Sequence, residues 1–284
     1  SYPAGNTVVV WTVTDMHGNT ASCTQLITVI DDEAPLFTSP ALDQVVQCDG
    51  NGNTGALSSW LATHGGATAS DNCSSVTWSD NFTSMSDGCG LTGTVAVTFT
   101  AMDASGNIAS STASFTIIDD IDPVLNSPAV NQTVECDGNG NENQLALWLS
   151  THGGAVASDQ CSGVSWSHDF SGLTNDCGAT GHAAVTFTAT DECGNEIHTV
   201  ATFTIADTQA PFWTNMPVNH SEECDGAGNT AGLNIWLNSF TAGDNCGTAT
   251  VTNEIIGTVD GCGATGSILV RFTATDACGN LITR

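Results

Sequence analysis

Asp119-Asp120-Ile121-Asp122-Pro123, Cys136-Asp137-Gly138-Asn139-Gly140-Asn141 and the alternating run Ala201 to Ile205 mark out the 88 residues from Asp119 to Ala206. The same words stand 88 positions earlier, at Asp31-Asp32, Cys48-Asp49-Gly50-Asn51-Gly52-Asn53 and Ala113 to Ile117. They return 88 positions later at Asp207 and Cys224-Asp225-Gly226-Ala227-Gly228-Asn229, with three residues deleted before Cys246 (Cys136 to Cys161 is 25, Cys224 to Cys246 is 22). A fixed period of this size means tandem units. The boundaries follow directly: 1–30 as the closing hairpin of a unit, 31–118, 119–206, and 207–284 as a unit expected to lack its last strand. Residues 262–284 share the repeat phase of residues 1–23, so the chain reads as an interior piece of something longer.

Within each unit the hydrophobic period changes along the chain. Val97/Phe99/Ala101 with Ala113/Phe115/Ile117, and Val185/Phe187/Ala189 with Ala201/Phe203/Ile205, alternate as paired strands with one buried face. Val9, Trp11 and Val13, turning at Gly18-Asn19 into Leu26 to Ile30, predict the same hairpin. Val270/Phe272/Ala274 begins another, whose partner strand is expected to be missing. Leu57, Trp60, Leu61 and His64 fall at helical spacing, as do Leu145, Trp148, Leu149 and His152, and Leu233, Trp236, Leu237 and Phe240. Gly65 and Gly153 stop the helix. Pro35, Pro123 and Pro211 mark the linkers. Short strands, turn signals and one inserted helix predict an all-β chain of tandem immunoglobulin-like sandwiches, arranged as an end-to-end rod.

Composition narrows the partners. Two Lys+Arg against 30 Asp+Glu give a net charge of -28. Nucleic acid and anionic membranes both require cationic surface, and no apolar run is long enough to span a bilayer. Twelve cysteines at fixed spacings read as disulfides of an oxidising compartment, so the chain is expected to be secreted or on the cell surface. His64 and His152 give way to Phe240 in the third unit, and no Ser/His/Asp set recurs. No catalytic residue is assigned, and no enzyme activity is expected.

The Asp-x-x-Gly-Asn hairpins (Asp103 to Asn107, Asp191 to Asn195, Asp276 to Asn280), the Asp-Asn-Cys turns and the acidic Pro linkers resemble the HYR-type immunoglobulin-like repeats of giant bacterial surface adhesins. The resemblance covers the whole chain. It implies secreted stalk or adhesin modules, often of gliding bacteria with a dedicated secretion system. The chain departs from the pattern at Ser105, where the family's hairpin often has Cys, and at His17.

If consecutive strands alternate in direction, Cys136 and Cys177 lie at one pole of a unit and Cys161 and Cys193 at the other. Of three connectivities for four cysteines, this predicts Cys136–Cys177 and Cys161–Cys193. It also predicts Cys48–Cys89, Cys224–Cys262 and Cys246–Cys278, with Cys73 unpaired opposite Ser105 and Cys23 joined to something outside the chain.

Acidic residues gather at the turns. One pole collects Asp119, Asp120, Asp122, Asp159 and Asp191, facing Asp49, Asn51 and Asn53 of the preceding unit. Equivalent seams use Asp31, Asp32, Asp71 and Asp103, and Asp207, Asp244 and Asp276. Unscreened carboxylates about 4 Å apart repel by roughly 4 kcal/mol at an effective dielectric near 20. A hard dication with oxygen ligands removes that cost, so Ca2+ is the expected cofactor. Asp137, Asn139 and Asn141 place side-chain oxygens at alternate positions like a calcium loop, but an Asx/Gly turn leading into the helix accounts for them equally well.

The expected function is a structural stalk or filament segment of a calcium-stabilised, disulfide-bonded surface adhesin. Its partners are neighbouring repeats, copies of itself in a filament, or surface polysaccharide. The alternatives are a carbohydrate-binding module array, which needs exposed repeated aromatics, and an appendage of an extracellular enzyme.

Overall fold

Residues 2–284 are described in the computed structural model. Strands β1 (Gly5–Thr14) and β2 (Thr20–Val29) form the first hairpin, in register Trp11 to Cys23. The next repeat runs β3 (Leu36–Ser39), β4 (Gln44–Gln47), α1 (Thr54–Ala62), β5 (Thr68–Ser70), β6 (Thr77–Asp80), β7 (Gly93–Met102) and β8 (Ile108–Ile118). Its two sheets are the pair β3-β5 and the four-stranded order β4-β8-β7-β6. All pairings are antiparallel except β4 with β8, which run parallel.

The following repeat repeats the plan: β9 (Val124–Ser127), β10 (Gln132–Glu135), α2 (Glu142–Ser150), β11 (Val156–Ser158), β12 (Val164–His168), β13 (Gly181–Asp191) and β14 (Glu196–Ala206). Its sheets are β11-β9 and β10-β14-β13-β12. The last repeat has β15 (Phe212–Asn215), α3 (Thr230–Leu237), β16 (Thr241–Gly243), β17 (Thr250–Asp260), β18 (Gly266–Thr275) and β19 (Leu281–Thr283). The partner strand expected to be missing is present as the three-residue β19, paired with β18.

One face of each four-stranded sheet carries the core. Val97, Phe99 and Phe115 are fully buried, as are Val185, Phe187 and Phe203. The helix drops one indole onto them: Trp60 meets Phe99 edge-on at 5.2 Å, and Trp148 meets Phe187 at the same distance. Each indole N–H donates to a backbone carbonyl, Leu42 O or Val130 O, at 3.1 Å. Aromatic burial with a satisfied polar edge is what a small core needs. The histidine after each helix is half-buried, stacking on the β6 or β12 tryptophan (His64 on Trp78, His152 on Trp166). Burial holds the His152 imidazole below its ordinary pKa.

The β1–β2 hairpin corrects one expectation. Its register forms, but it buries no face; Trp11 is 58% exposed and Val13 68%. Among the described residues no helix or second strand pair covers it, whereas Trp60 and β3-β5 cover the corresponding face of β7–β8.

The chain divides into two compact units that do not coincide with the repeats. One is 1–122 together with 159–163 and 191–195; the other is 123–158, 164–190 and 196–284. The turn Asp159–Gly163 and the hairpin tip Asp191–Asn195 thus belong structurally to the repeat before them.

Candidate metal centres and the cysteine-locked seams

The cysteines explain that division. Cys48 bonds Cys161 and Cys89 bonds Cys193, both inside the first unit, with Cα–Cα distances of 6.0 and 5.1 Å. Cys136 bonds Cys246 and Cys177 bonds Cys278 inside the second, at 5.7 and 5.1 Å. The predicted pairs Cys48–Cys89, Cys136–Cys177, Cys161–Cys193 and Cys246–Cys278 are therefore wrong, as is Cys224–Cys262, since both of those thiols are free. Cys73 is free as expected, and so is Cys23.

Grouping the cysteines by pole was sound, and the strand pairing shows it. The parallel β4 ends beside the end of β8, where Cys48 N donates to Ile118 O at 2.8 Å. Cys89 precedes β7, whose first residue, Gly93, faces Ile117. Both sulfurs therefore emerge where β8 leaves, and the next repeat's turn docks there. The error lay in closing each repeat on itself.

Each seam is a socket holding a plug. In the second unit the plug is Asp244-Asn245-Cys246: Asn245 Nδ2 donates to Cys136 O at 2.8 Å, and Ala179 N donates to Cys246 O at 2.8 Å. In the first unit Leu91 N donates to Cys161 O at 2.9 Å, and Gly90 N to Glu192 Oε2 at 3.1 Å. Gly90 and Gly178 have φ of 54° and 58°, and a Cβ on either would lie about 2.5 Å from the plug's cysteine carbonyl. Glycine is required there by both conformation and approach.

Three acidic clusters accompany the seams and the linkers: Asp31/Asp71/Asp103, Asp119/Asp159 with Asp191 beside them, and Asp207/Asp244/Asp276. In the first and third, one carboxylate oxygen from each residue lies within 4.8 Å of the others. Cys161 also lies within that distance of Asp119 and Asp159, but its sulfur is committed to the disulfide. The hairpin and turn carboxylates are held by backbone donors. Asp191 Oδ1 accepts from Cys193 N and Asn195 N at 2.8 and 2.9 Å, and Asp159 Oδ1 from Cys161 N and Ser162 N at 2.8 and 2.9 Å. Asn195 Nδ2 then ties Asp191 Oδ2 to the linker carbonyl of Asp119, at 2.8 and 3.2 Å. Asn107 does the same for Asp103 and Asp31. In the third cluster Asn280 Nδ2 reaches Asp207 O at 3.1 Å.

Four oxygens, two on linker carboxylates and one each on a turn and a hairpin carboxylate, are differently placed. Asp119 Oδ2, Asp207 Oδ2, Asp244 Oδ1 and Asp276 Oδ2 are buried without any hydrogen-bond partner. Asp276 as a whole is only 8% exposed. Burial, followed by the charges of Asp159 and Asp191, pushes the Asp119 carboxyl above its ordinary range; burial with Asp244 and Asp276 does the same to Asp207. At Asp103, Asp191 and Asp276 burial also acts upward, yet donors from the hairpin asparagine and backbone hold the carboxyl below its ordinary value. Lone pairs with no protein partner, in a chain whose only Lys or Arg residues are Arg271 and Arg284, call for water, an external cation or a proton. Oxygen-only donors at this spacing fit a hard dication.

The remaining predicted ligands stand outside the clusters. Asp32, Asp120 and Asp122 belong to none of them. Asp49 Oδ1 accepts from Asn51 N and Asn53 N at 2.8 and 3.0 Å, while Asn53 accepts from Asp49 N and donates to Gln47 O. Asp137, Asn139 and Asn141 make the corresponding bonds. Asn53 and Asn141 are buried with left-handed φ of 51° and 50°. This is an Asx turn leading into the helix, using Asp49 Oδ1 and Asn53 Oδ1, or Asp137 Oδ1 and Asn141 Oδ1, as acceptors, with Asn51 and Asn139 acting as donors. What the sequence reading missed is the hairpin asparagine, Asn107, Asn195 or Asn280, although it recurs in every repeat.

No protein-family model matches the chain, and no curated protein matches it. Among the solved structures to which the chain is similar are cadherin and protocadherin ectodomains. PcdhgB3 EC1-4 aligns with 99% of this chain and 82% of its own, at 11% identity and a TM-score of 0.33. Mouse Cadherin-23 EC22-24 aligns over 89% and 97%, at 13% identity and 0.30. The human Desmocollin-1 ectodomain aligns over 99% and 64%, at 12% identity and 0.23. At these TM-scores the fold stated above rests on this chain's own strand pairing.

Proposed function

We propose that the chain is a stalk segment of an extracellular adhesin of the HYR-like kind, in which Ca2+ and disulfides fix each repeat to the next. The observation that carries this reading is the third acidic cluster, where Asp207, Asp244 and Asp276 each bury an oxygen with no partner beside the Cys136–Cys246 bond. Four disulfides agree with an oxidising compartment. Asp207, Asp244 and Asp276 would hold the third ion, Asp119, Asp159 and Asp191 the second, and Asp31, Asp71 and Asp103 the first. The bound ion neutralises the linker carboxylates; the hairpin asparagine holds the linker backbone in place. Polysaccharide binding has less support, because Trp60 and Trp148 are core residues.

Thermal melts of the whole chain test the reading. A ligand bound only by the folded form stabilises it by RT ln(1 + [L]/Kd), about 2.7 kcal/mol at a hundredfold excess over Kd. Millimolar Ca2+ is expected to raise the melting temperature and EGTA to reverse it, with Asp276→Asn blunting the response. Superimposable melts in Ca2+ and EGTA would remove the metal from this account.

A further inference from the structure

The seams at Asp119 and Asp207 each follow a whole repeat, and they are built alike but equipped differently. At the later one, Asp207, Asp244 and Asp276 each bring a carboxylate oxygen within 4.8 Å of the other two. At the earlier one only Asp119 and Asp159 converge in this way, and the third member of the group is Cys161, whose sulfur is bonded to Cys48. The later seam buries three oxygens without a hydrogen-bond partner, Asp207 Oδ2, Asp244 Oδ1 and Asp276 Oδ2; the earlier buries one, Asp119 Oδ2. Asp276, with its free oxygen, is only 8% exposed. Its counterpart Asp191 has that oxygen occupied, accepting from Asn195 Nδ2 at 2.8 Å.

The residue that ends the parallel strand changes with them. Position 47, closing β4, is glutamine, and position 135, closing β10, is glutamate. Gln47 Nε2 donates to Asp119 Oδ1 at 3.1 Å, so an amide of the preceding repeat already satisfies part of that linker carboxylate. Glu135 has no proton to give. Its two oxygens accept from Thr208 N and Thr208 Oγ1, at 2.9 and 2.8 Å, and its charge acts on Asp207 together with those of Asp244 and Asp276. A cation gains least from an oxygen that the protein already satisfies, because the displaced donor loses its partner. Calcium affinity rises with the negative charge gathered around the ion.

We infer that the two seams bind Ca2+ unequally: the Asp207/Asp244/Asp276 site fills first, the Asp119/Asp159/Asp191 site fills only at higher Ca2+, and the residue at 47 or 135 sets the difference. This rests on the calcium reading proposed above and adds an order of loading to it. Glu135 is a positioning residue, acting on the ion by its charge beside Asp207, with both of its oxygens held by Thr208. Gln47 acts in the opposite sense, as a donor that the ion must displace from Asp119. Calcium therefore secures residues 207–284 to the repeat before them at concentrations that leave the Asp119 seam empty.

The test is calorimetric titration of the whole disulfide-bonded chain with calcium chloride, in an Asp103→Asn background that silences the first cluster. Two classes of site are expected, with dissociation constants about tenfold or more apart. Asp276→Asn removes the tighter class and Asp119→Asn the weaker. Glu135→Gln weakens the tighter class by on the order of tenfold and leaves the other unchanged. Gln47→Glu tightens the weaker class by a similar factor, and lowers the melting temperature in EGTA because its added charge is then uncompensated. Structural damage does not produce a gain of affinity, so Gln47→Glu decides the matter even if Glu135→Gln disrupts its seam. Equal affinities, the reverse order, or affinities indifferent to positions 47 and 135 would overturn the inference and leave the calcium reading standing. A chain that takes up no Ca2+ would overturn both.

Discussion

Asp207 and Asp276 are the same residue type a few ångströms apart, yet their carboxyls move in opposite directions. Asp276 has Cys278 N and Asn280 N donating to one oxygen at 2.9 Å, which outweighs its burial. Asp207 is buried with only Gln209 N at 3.3 Å and with three acidic neighbours, Asp244, Asp276 and Glu135, so the upward push prevails. The two shifts act in separate pH windows. A depressed carboxyl contributes stability that is lost as pH falls below the ordinary value of 3.8. A raised one makes the folded state bind more protons than the unfolded state, so stability falls as pH climbs from 3.8 through the raised value. Asp207→Asn keeps the shape and deletes that charge. In EGTA at neutral pH it is expected to melt above the parent chain, with the gap closing as pH drops towards 3.8. In Ca2+ the order reverses, because a ligand is gone. Melting curves at several pH values with and without Ca2+ check both signs, and an unchanged order in the two conditions would refute the ligand role.

At the scale of elements, the helix and the sheet depend on one tryptophan each. Helices α1 and α2 are nine residues long, too short to persist alone, and their interior residue is Trp60 or Trp148. Removing Trp148 strips an indole from Phe187 and Phe203 and leaves Val130 O without its donor. Trp148→Ala is expected to cost about 3–5 kcal/mol. Trp236 in α3 is only half-buried, so Trp236→Ala costs less. Urea denaturation followed at the near-ultraviolet aromatic signal measures both; equal losses would mean that the last repeat packs as tightly as the one before it. The period-2 runs and the helical stripe were legible in the sequence, since these side chains meet neighbours within their own repeat. The first hairpin was legible as strands but not as a buried face, since alternation records which residues prefer burial and not whether a covering layer arrives.

For the whole molecule, the decisive feature is that every disulfide joins one repeat to the next. The bonds close loops spanning 101 to 113 residues. In the chain-entropy model a loop of that size restricts the unfolded chain by about 4.7 kcal/mol, more than the shorter bridges within a repeat would. The double substitution Cys177→Ser with Cys278→Ser is expected to cost about 2–5 kcal/mol, read by denaturant titration. Non-reducing peptide mapping of the parent chain should return Cys136 joined to Cys246. Recovering Cys136 joined to Cys177 would restore closed, self-contained repeats.

By itself the sequence determined the repeat of 88 residues, the strand and helix content of each unit, the grouping of cysteines by pole and the residues of three acidic clusters. All of these depend on residues close along the chain or on comparison between repeats, and local pattern records both. Which cysteine at a pole bonds which depended on the docking of the next repeat's turn against β4 and β8, a contact more than 100 residues away in sequence. The local geometry of the Asp/Asn loop likewise became visible only in the folded chain. Its oxygens suit a calcium ion and an Asx turn alike, and only the left-handed backbone at Asn53 and Asn141, buried against Gln47 and Glu135, turned them inward onto their own chain.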